Sequence, residues 1–145
     1  MTREVVSVSM DTTLREVRAR FAQRRFHHLI VTEHQRVVGI LSDRDLLANL
    51  SPFIDGPNAR TVDLACLNRH VHQIMSRKVI VGTPAMSVEV AAGLLMHHQI
   101  SALPVVDEHG RCVGIVSWRD LLRVAYPQSS TDQRVHDPAE VRHAA

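Results

Sequence analysis

Aromatic residues are scarce in this sequence, with three Phe, one Trp and one Tyr among 145 positions. Too few rings are present for a surface that stacks successive bases, so nucleic acid is not an expected partner. A core must instead come from Val, Leu, Ile, Ala and Met, which suits strands packed against helices. Cysteine is scarce too: Cys66 and Cys112 stand in no CxxC or metal-type spacing, and the expectation is a reduced, intracellular setting without disulfides. No apolar run reaches membrane-spanning length and no signal-peptide pattern is visible, so a cytoplasmic chain without a membrane partner is expected. An excess of one charge is missing as well. Seventeen basic residues face fifteen acidic ones, a formal net charge of +2, too balanced for an obligate polyanionic partner.

What is present is a 45% hydrophobic chain, long enough to bury roughly two-thirds of its unfolded surface without staples. Ten histidines make its net charge sensitive to mild acidification. The strongest internal signal is a repeat. Val38-Gly39-Ile40-Leu41-Ser42-Asp43-Arg44-Asp45-Leu46-Leu47 returns as Val113-Gly114-Ile115-Val116-Ser117-Trp118-Arg119-Asp120-Leu121-Leu122. In each copy a β-branched run leads into Ser-x-Arg-Asp and then an apolar stripe, the pattern of a strand entering a helix that Ser caps.

The repetition extends over whole units. Val5-Val6-Ser7-Val8 reads as a short strand, and Asp11-Thr12-Thr13 offers a cap before Leu14, Val17 and Phe21 at helical spacing. The other face of that helix carries Arg15, Arg18, Arg20, Arg24 and Arg25, a solvated face or a docking surface for an acidic partner. Residues 28–32 and 36–41 form a hairpin around Glu33-His34-Gln35, and residues 42–50 close the unit as a helix. Pro52, Gly56 and Pro57 mark a linker. A helix starting at Asp63 is expected through Ala65, Cys66, Leu67, Val71 and Ile74. Met75-Ser76-Arg77-Lys78-Val79 then restarts the pattern of Met1-Thr2-Arg3-Glu4-Val5, with Val88, Ala91 and Leu95 as the next helix. A second hairpin follows at 102–106 and 112–116, with an extra residue at Gly110. The expected division is repeat 1 at 1–50, a linker at 51–62, repeat 2 with a leading helix at 63–126 and a mobile tail at 127–145.

Two in-phase junctions, Gly39-Ile40-Leu41-Ser42-Asp43-Arg44-Asp45 and Gly114-Ile115-Val116-Ser117-Trp118-Arg119-Asp120, resemble those of the cystathionine-β-synthase (CBS) domain pair, or Bateman module. Ile100-Ser101-Ala102-Leu103-Pro104-Val105-Val106-Asp107 is similar to a further run of that family. The resemblance covers about residues 1 to 126. It implies an α+β fold in which two βαββα repeats pack as a pseudo-twofold pair, with two clefts between them and a flat homodimer of two chains. It also implies a regulatory role, binding AMP, ADP, ATP or S-adenosylmethionine and signalling occupancy to a regulated protein or domain. The departures are Ile30 in place of Pro104, a first hairpin without glycine, and no counterpart of the 63–74 helix in the first unit.

Two readings apply to the repeated motif. Ser42 and Ser117, each three residues ahead of an acid, form capping boxes with or without a ligand. Capping does not explain arginine, however, and Arg44 and Arg119 offer forked donors suited to phosphate beside a helix start. Asp45 and Asp120 can accept two hydrogen bonds from vicinal hydroxyls, as on ribose, and the resemblance gives acids at these positions the same role. Thr83, ahead of Pro84, matches a ligand-lining position of the family and also reads as a turn residue. Val6, Val8, Val81 and Ile115 are core residues that could wall an adenine. By the resemblance, His27 and His28 stand near the phosphates of the nucleotide held by the other repeat, where the second unit has Ser101 and Ala102. The cleft around Asp120 is then expected to be the stronger one, with solvated surface histidines as the alternative. Cys66, His70 and His72 lack the fuller ligand set of a structural zinc site, so no metal is expected. No Ser-His-Asp context, glycine-rich phosphate loop or paired-carboxylate motif is recognisable, so the chain is not expected to be an enzyme or to carry a catalytic cofactor. The rival function is a ligand-independent dimerisation or docking module.

Overall fold

The computed structural model describes residues 1–23 and 26–127. Arg24 and Arg25, and the tail from residue 128 on, lie outside the described residues. The expected α+β pair is what folds. In the first unit β1 (Ser7–Val8) and α1 (Leu14–Gln23) precede a hairpin of β2 (His28–Glu33) and β3 (Arg36–Ser42), which runs into α2 (Asp43–Ala48). The sheet order is β1-β2-β3, with β1 parallel and β3 antiparallel to β2. In the second unit α4 (Val88–His97) is followed by the antiparallel pair β4 (Ala102–Val106) and β5 (Cys112–Ser117), then by α5 (Trp118–Ala125). The counterpart of β1 shrinks to one parallel bridge between Gly82 and Val105.

Local chemistry caps α1 and α4 at their starts. Thr13 and Glu16 cap α1 reciprocally, the Thr13 N–H donating to Glu16 Oε2 at 2.9 Å and the Glu16 N–H to Thr13 Oγ1 at 3.3 Å, and Ser87 caps α4. The first hairpin turns on two residues, His34 and Gln35, rather than three. Both hold positive φ, 47° and 66°, the primed-turn geometry that matches strand twist but strains residues with a Cβ. In the second hairpin Gly110 takes φ 78° without that strain.

The units interlock through their leading segments. Thr2 bridges Ile115 of β5, and Ser76 bridges Ile40 of β3, so each unit lays its first residues along the last strand of the other. Gly39 and Gly114 make that approach possible: a Cβ on Gly39 would stand 2.6 Å from Met75 Sδ, and one on Gly114 2.6 Å from Met1 Sδ. The cores are unequal. Val8, Leu14, Val17, Leu29, Val31, Leu41, Leu46, Val71 and Met75 form one cluster, whereas Ala91, Leu95 and Leu103 form the buried part of the other.

Residues 63–74 do not form the expected continuous helix. The chain makes α3 (Thr61–Ala65) and two single 3₁₀ turns, Cys66–Asn68 and Val71–Gln73. Tertiary pairing overrides the helical period here. The Leu14 N–H donates to the Arg69 carbonyl and the Val71 N–H to that of Thr12, both at 2.9 Å, and Leu67 and Val71 are buried. Val71 and Met75 pack into the larger core cluster with Leu14, Val17 and Leu41. The expected linker is pinned within its span by an Arg18–Asp55 ion pair, and a hydrogen bond from Ser51 Oγ to Asp63 Oδ1 at 2.8 Å closes it on itself.

Candidate functional site

Both Ser-x-Arg-Asp motifs form complete capping boxes. The Ser42 N–H and Oγ–H donate to Asp45 Oδ2 at 2.8 and 2.6 Å, and the Asp45 N–H returns a bond to Ser42 Oγ at 3.1 Å. Ser117 and Asp120 repeat this at 2.9, 2.7 and 3.4 Å. In each box the cap uses Oδ2, so Oδ1 is left for other contacts. Asp120 Oδ1 lies 4.0 Å from Arg123 Nη1.

The two helix starts converge on one cleft of about 610 Å³, within the range of small-molecule sites. From the first unit it draws His27, His28, Ser42 and Arg44; from the second, Ser117, Arg119 and Asp120. Asp45 and Thr83 are not among its lining residues. Of the apolar candidates, Val6 and Ile115 line it, while Val8 is core and Val81 stands elsewhere.

Further lining residues were not legible as site residues: Thr2, Glu4, Val5, Ser101, Trp118 and Arg123 among them. Arg123 had a signal, since it falls one turn after Asp120 and so shares its face of α5. Trp118 had one as well, being the sole tryptophan set inside the repeated motif. Thr2, Glu4 and Val5 had none, because only the long-range bridge of Thr2 to Ile115 brings the leading segment to this wall.

Two of the cleft's polar groups from the first unit are already engaged. His27 Nδ1 lies 2.7 Å from Asp43 Oδ2, so that carboxylate is engaged. His28 Nε2 shares a hydrogen bond with Ser101 Oγ at 3.0 Å across the unit boundary. Burial pushes the His28 imidazole below its ordinary pKa, against the opposing pull of the Asp43 carboxylate. The Arg119 guanidinium lies 5.3 Å from the centre of the Trp118 ring, a contact that positions it while leaving its charge free. The site is a polar mouth, three arginines against three carboxylates, with an apolar wall of Val5, Val6 and Ile115.

Elsewhere, His70 and His72 turn Nδ1 toward the carbonyls of Asp11 and Met10, and Cys66 Sγ faces the carbonyl of Asp63. No group of three or more His, Cys, Asp or Glu poised to hold a metal occurs among the described residues. No helix among them is long and apolar enough to cross a membrane.

Comparison with known proteins matches this architecture. The CBS domain-containing protein YhcV of Bacillus subtilis is 34% identical over 83% of this chain and 79% of its own length. The cytosolic domain of the Mg2+ channel MgtE in complex with ATP is similar at TM-score 0.67 and 31% identity, over 86% of this chain and 46% of that one. CBSX2 in complex with AMP is similar at TM-score 0.71 and 25% identity, over 88% of this chain and 93% of that one. The chain thus spans most of YhcV and CBSX2 but less than half of the MgtE domain. The CBS domain family itself matches at residues 1–52 and again at 71–126, the two interlocked units: the chain is a tandem CBS domain pair and belongs to that family.

Proposed function

We propose that the chain is a regulatory module that binds an adenine nucleotide or S-adenosylmethionine in the cleft between its units, and signals occupancy to a protein it regulates. The convergence of both Ser-x-Arg-Asp motifs on one cleft carries this reading. Asp120 Oδ1 takes the ribose hydroxyls, Arg119 the first phosphate or other anionic group, and Val5, Val6 and Ile115 the base. Neutral His28 donates or accepts at the phosphate end, and Ser42 and Ser117 hold the helix starts. Asp45, whose side chain closes its own capping box outside this cleft, serves as a cap. Support from likeness comes from MgtE and CBSX2, solved with ATP and AMP. The module works without catalysis or a catalytic cofactor, in the cytoplasm.

Thermal unfolding with AMP, ADP, ATP and S-adenosylmethionine tests the reading. A ligand at one hundred times its Kd adds about 2.7 kcal/mol to stability. No stabilisation by any of the four would remove the proposal.

A second reading, a docking or homodimerisation module, is favoured by one observation. Val90, Met96, Leu122 and Val124 on α4 and α5, two helices in contact, are 53, 80, 47 and 61% exposed apolar side chains. Homodimerisation through these helices is compatible with nucleotide binding. Sedimentation equilibrium of the chain against Met96→Glu separates the two readings: a dimer lost in the variant, with no stabilisation by nucleotides in either protein, leaves docking alone.

A further inference from the structure

The cleft holds three guanidinium groups, from Arg44, Arg119 and Arg123, against the carboxylates of Glu4, Asp43 and Asp120. Two of those carboxylates are already engaged. Asp43 is taken by His27 at 2.7 Å. Asp120 gives Oδ2 to its capping box and approaches Arg123 with Oδ1. Arg44 and Arg119 have no carboxylate partner among the described residues, and both side chains are exposed. Of the two acids flanking Arg44 in sequence, Asp43 is taken by His27 and Asp45 by its own capping box. Arg119 is braced by the Trp118 ring instead of by an acid. The two free guanidinium groups belong to opposite units and face one cavity, so a single anionic centre beside Asp120 and Arg119 leaves Arg44 unmatched.

We infer that the cleft selects a nucleoside di- or triphosphate over a monophosphate, one molecule per chain, with the phosphate chain running from Arg119 in the second unit to Arg44 in the first. This rests on the nucleotide reading above and deepens it. Ribose and the first phosphate stay with Asp120 and Arg119, which are adjacent on α5. The outer phosphates cross the unit boundary, past the His28–Ser101 contact, to the guanidinium of Arg44. Forked donors at both ends suit a chain of phosphate oxygens, and a ligand held from both sides ties the two units together.

Isothermal titration of the full chain with AMP, ADP and ATP decides it, using wild type, Arg44→Gln and Arg119→Gln, each checked for an unchanged unfolding midpoint without ligand. The expected result is one site per chain and ATP or ADP bound at least tenfold more tightly than AMP. In Arg44→Gln the ATP-to-AMP ratio collapses toward one, while in Arg119→Gln both nucleotides weaken and the ratio survives. AMP binding as tightly as ATP, two equivalent sites per chain, or a ratio untouched by Arg44→Gln would overturn the inference and leave the nucleotide reading standing. Absence of binding by all three, and by S-adenosylmethionine, would overturn both.

Discussion

His28 Nε2 and Ser101 Oγ lie 3.0 Å apart, joining the two units by a side-chain bond at the floor of the cleft. His28 is held neutral because burial lowers its pKa below the usual 6.5. The unfolded chain therefore binds a proton that the folded chain resists. Stability from this residue is complete above about pH 6.5 and falls as pH drops from there toward the folded pKa, with no further loss below it. The unfolding midpoint of the wild type is expected to drop more steeply than that of His28→Gln between pH 7.5 and 5. Parallel profiles would show that His28 is not desolvated.

Removing Ser117 breaks the second capping box. Ser117→Ala is expected to lower stability by about 1 kcal/mol, measured by urea unfolding. It also frees the Asp120 carboxylate that the hydroxyl holds at 2.7 Å, so nucleotide affinity should fall with it. A variant with unchanged affinity would separate capping from binding at this residue.

Gly39 and Gly114 are needed because each unit's leading segment passes close over the other's last strand. A Cβ would stand 3.3 Å from the Ser76 carbonyl oxygen at Gly39 and 3.2 Å from that of Thr2 at Gly114, besides the methionine sulfurs. Gly39→Ala and Gly114→Ala are each expected to cost about 1–3 kcal/mol by overpacking. Gly93 is helical and has nothing within 4 Å of the point a Cβ would occupy, so Gly93→Ala should instead stabilise by up to about 1 kcal/mol. Equal effects at the three glycines would contradict the interlocked packing.

The turn at His34 and Gln35 stores strain, since both residues hold positive φ. Replacing the pair by Asn-Gly, the sequence best suited to a two-residue primed turn, is expected to raise stability by about 1 kcal/mol. A loss of stability in thermal melts would mean that these side chains make compensating contacts.

The parts of this molecule written in local chemistry were legible in the sequence. Ser42 to Asp45 and Ser117 to Asp120 announce their caps at a spacing of three, and the structure closes both boxes. The hairpins were legible because β-branched runs flank each turn. What was not legible depends on contacts distant in sequence. The helical period around Leu67 and Val71 yields to backbone bonds with Thr12 and Leu14, which no local pattern records. Thr2, Glu4 and Val5 reach the cleft only through the bridge to Ile115. The two motifs look equivalent in sequence, yet Asp120 lines the cleft and Asp45 does not, because the cavity is walled by the leading segment of one unit alone.

Calorimetric titration of Asp120→Asn and Asp45→Asn with the tightest-binding nucleotide distinguishes the roles of the two acids. Each change weakens one capping box, so the two variants control for the loss of a cap. Asp120→Asn should bind at least tenfold more weakly than wild type, about 1.4 kcal/mol, with Asp45→Asn within a factor of two. Equal weakening in both variants, or a greater loss at Asp45, would contradict a single nucleotide site built around Asp120 and Arg119.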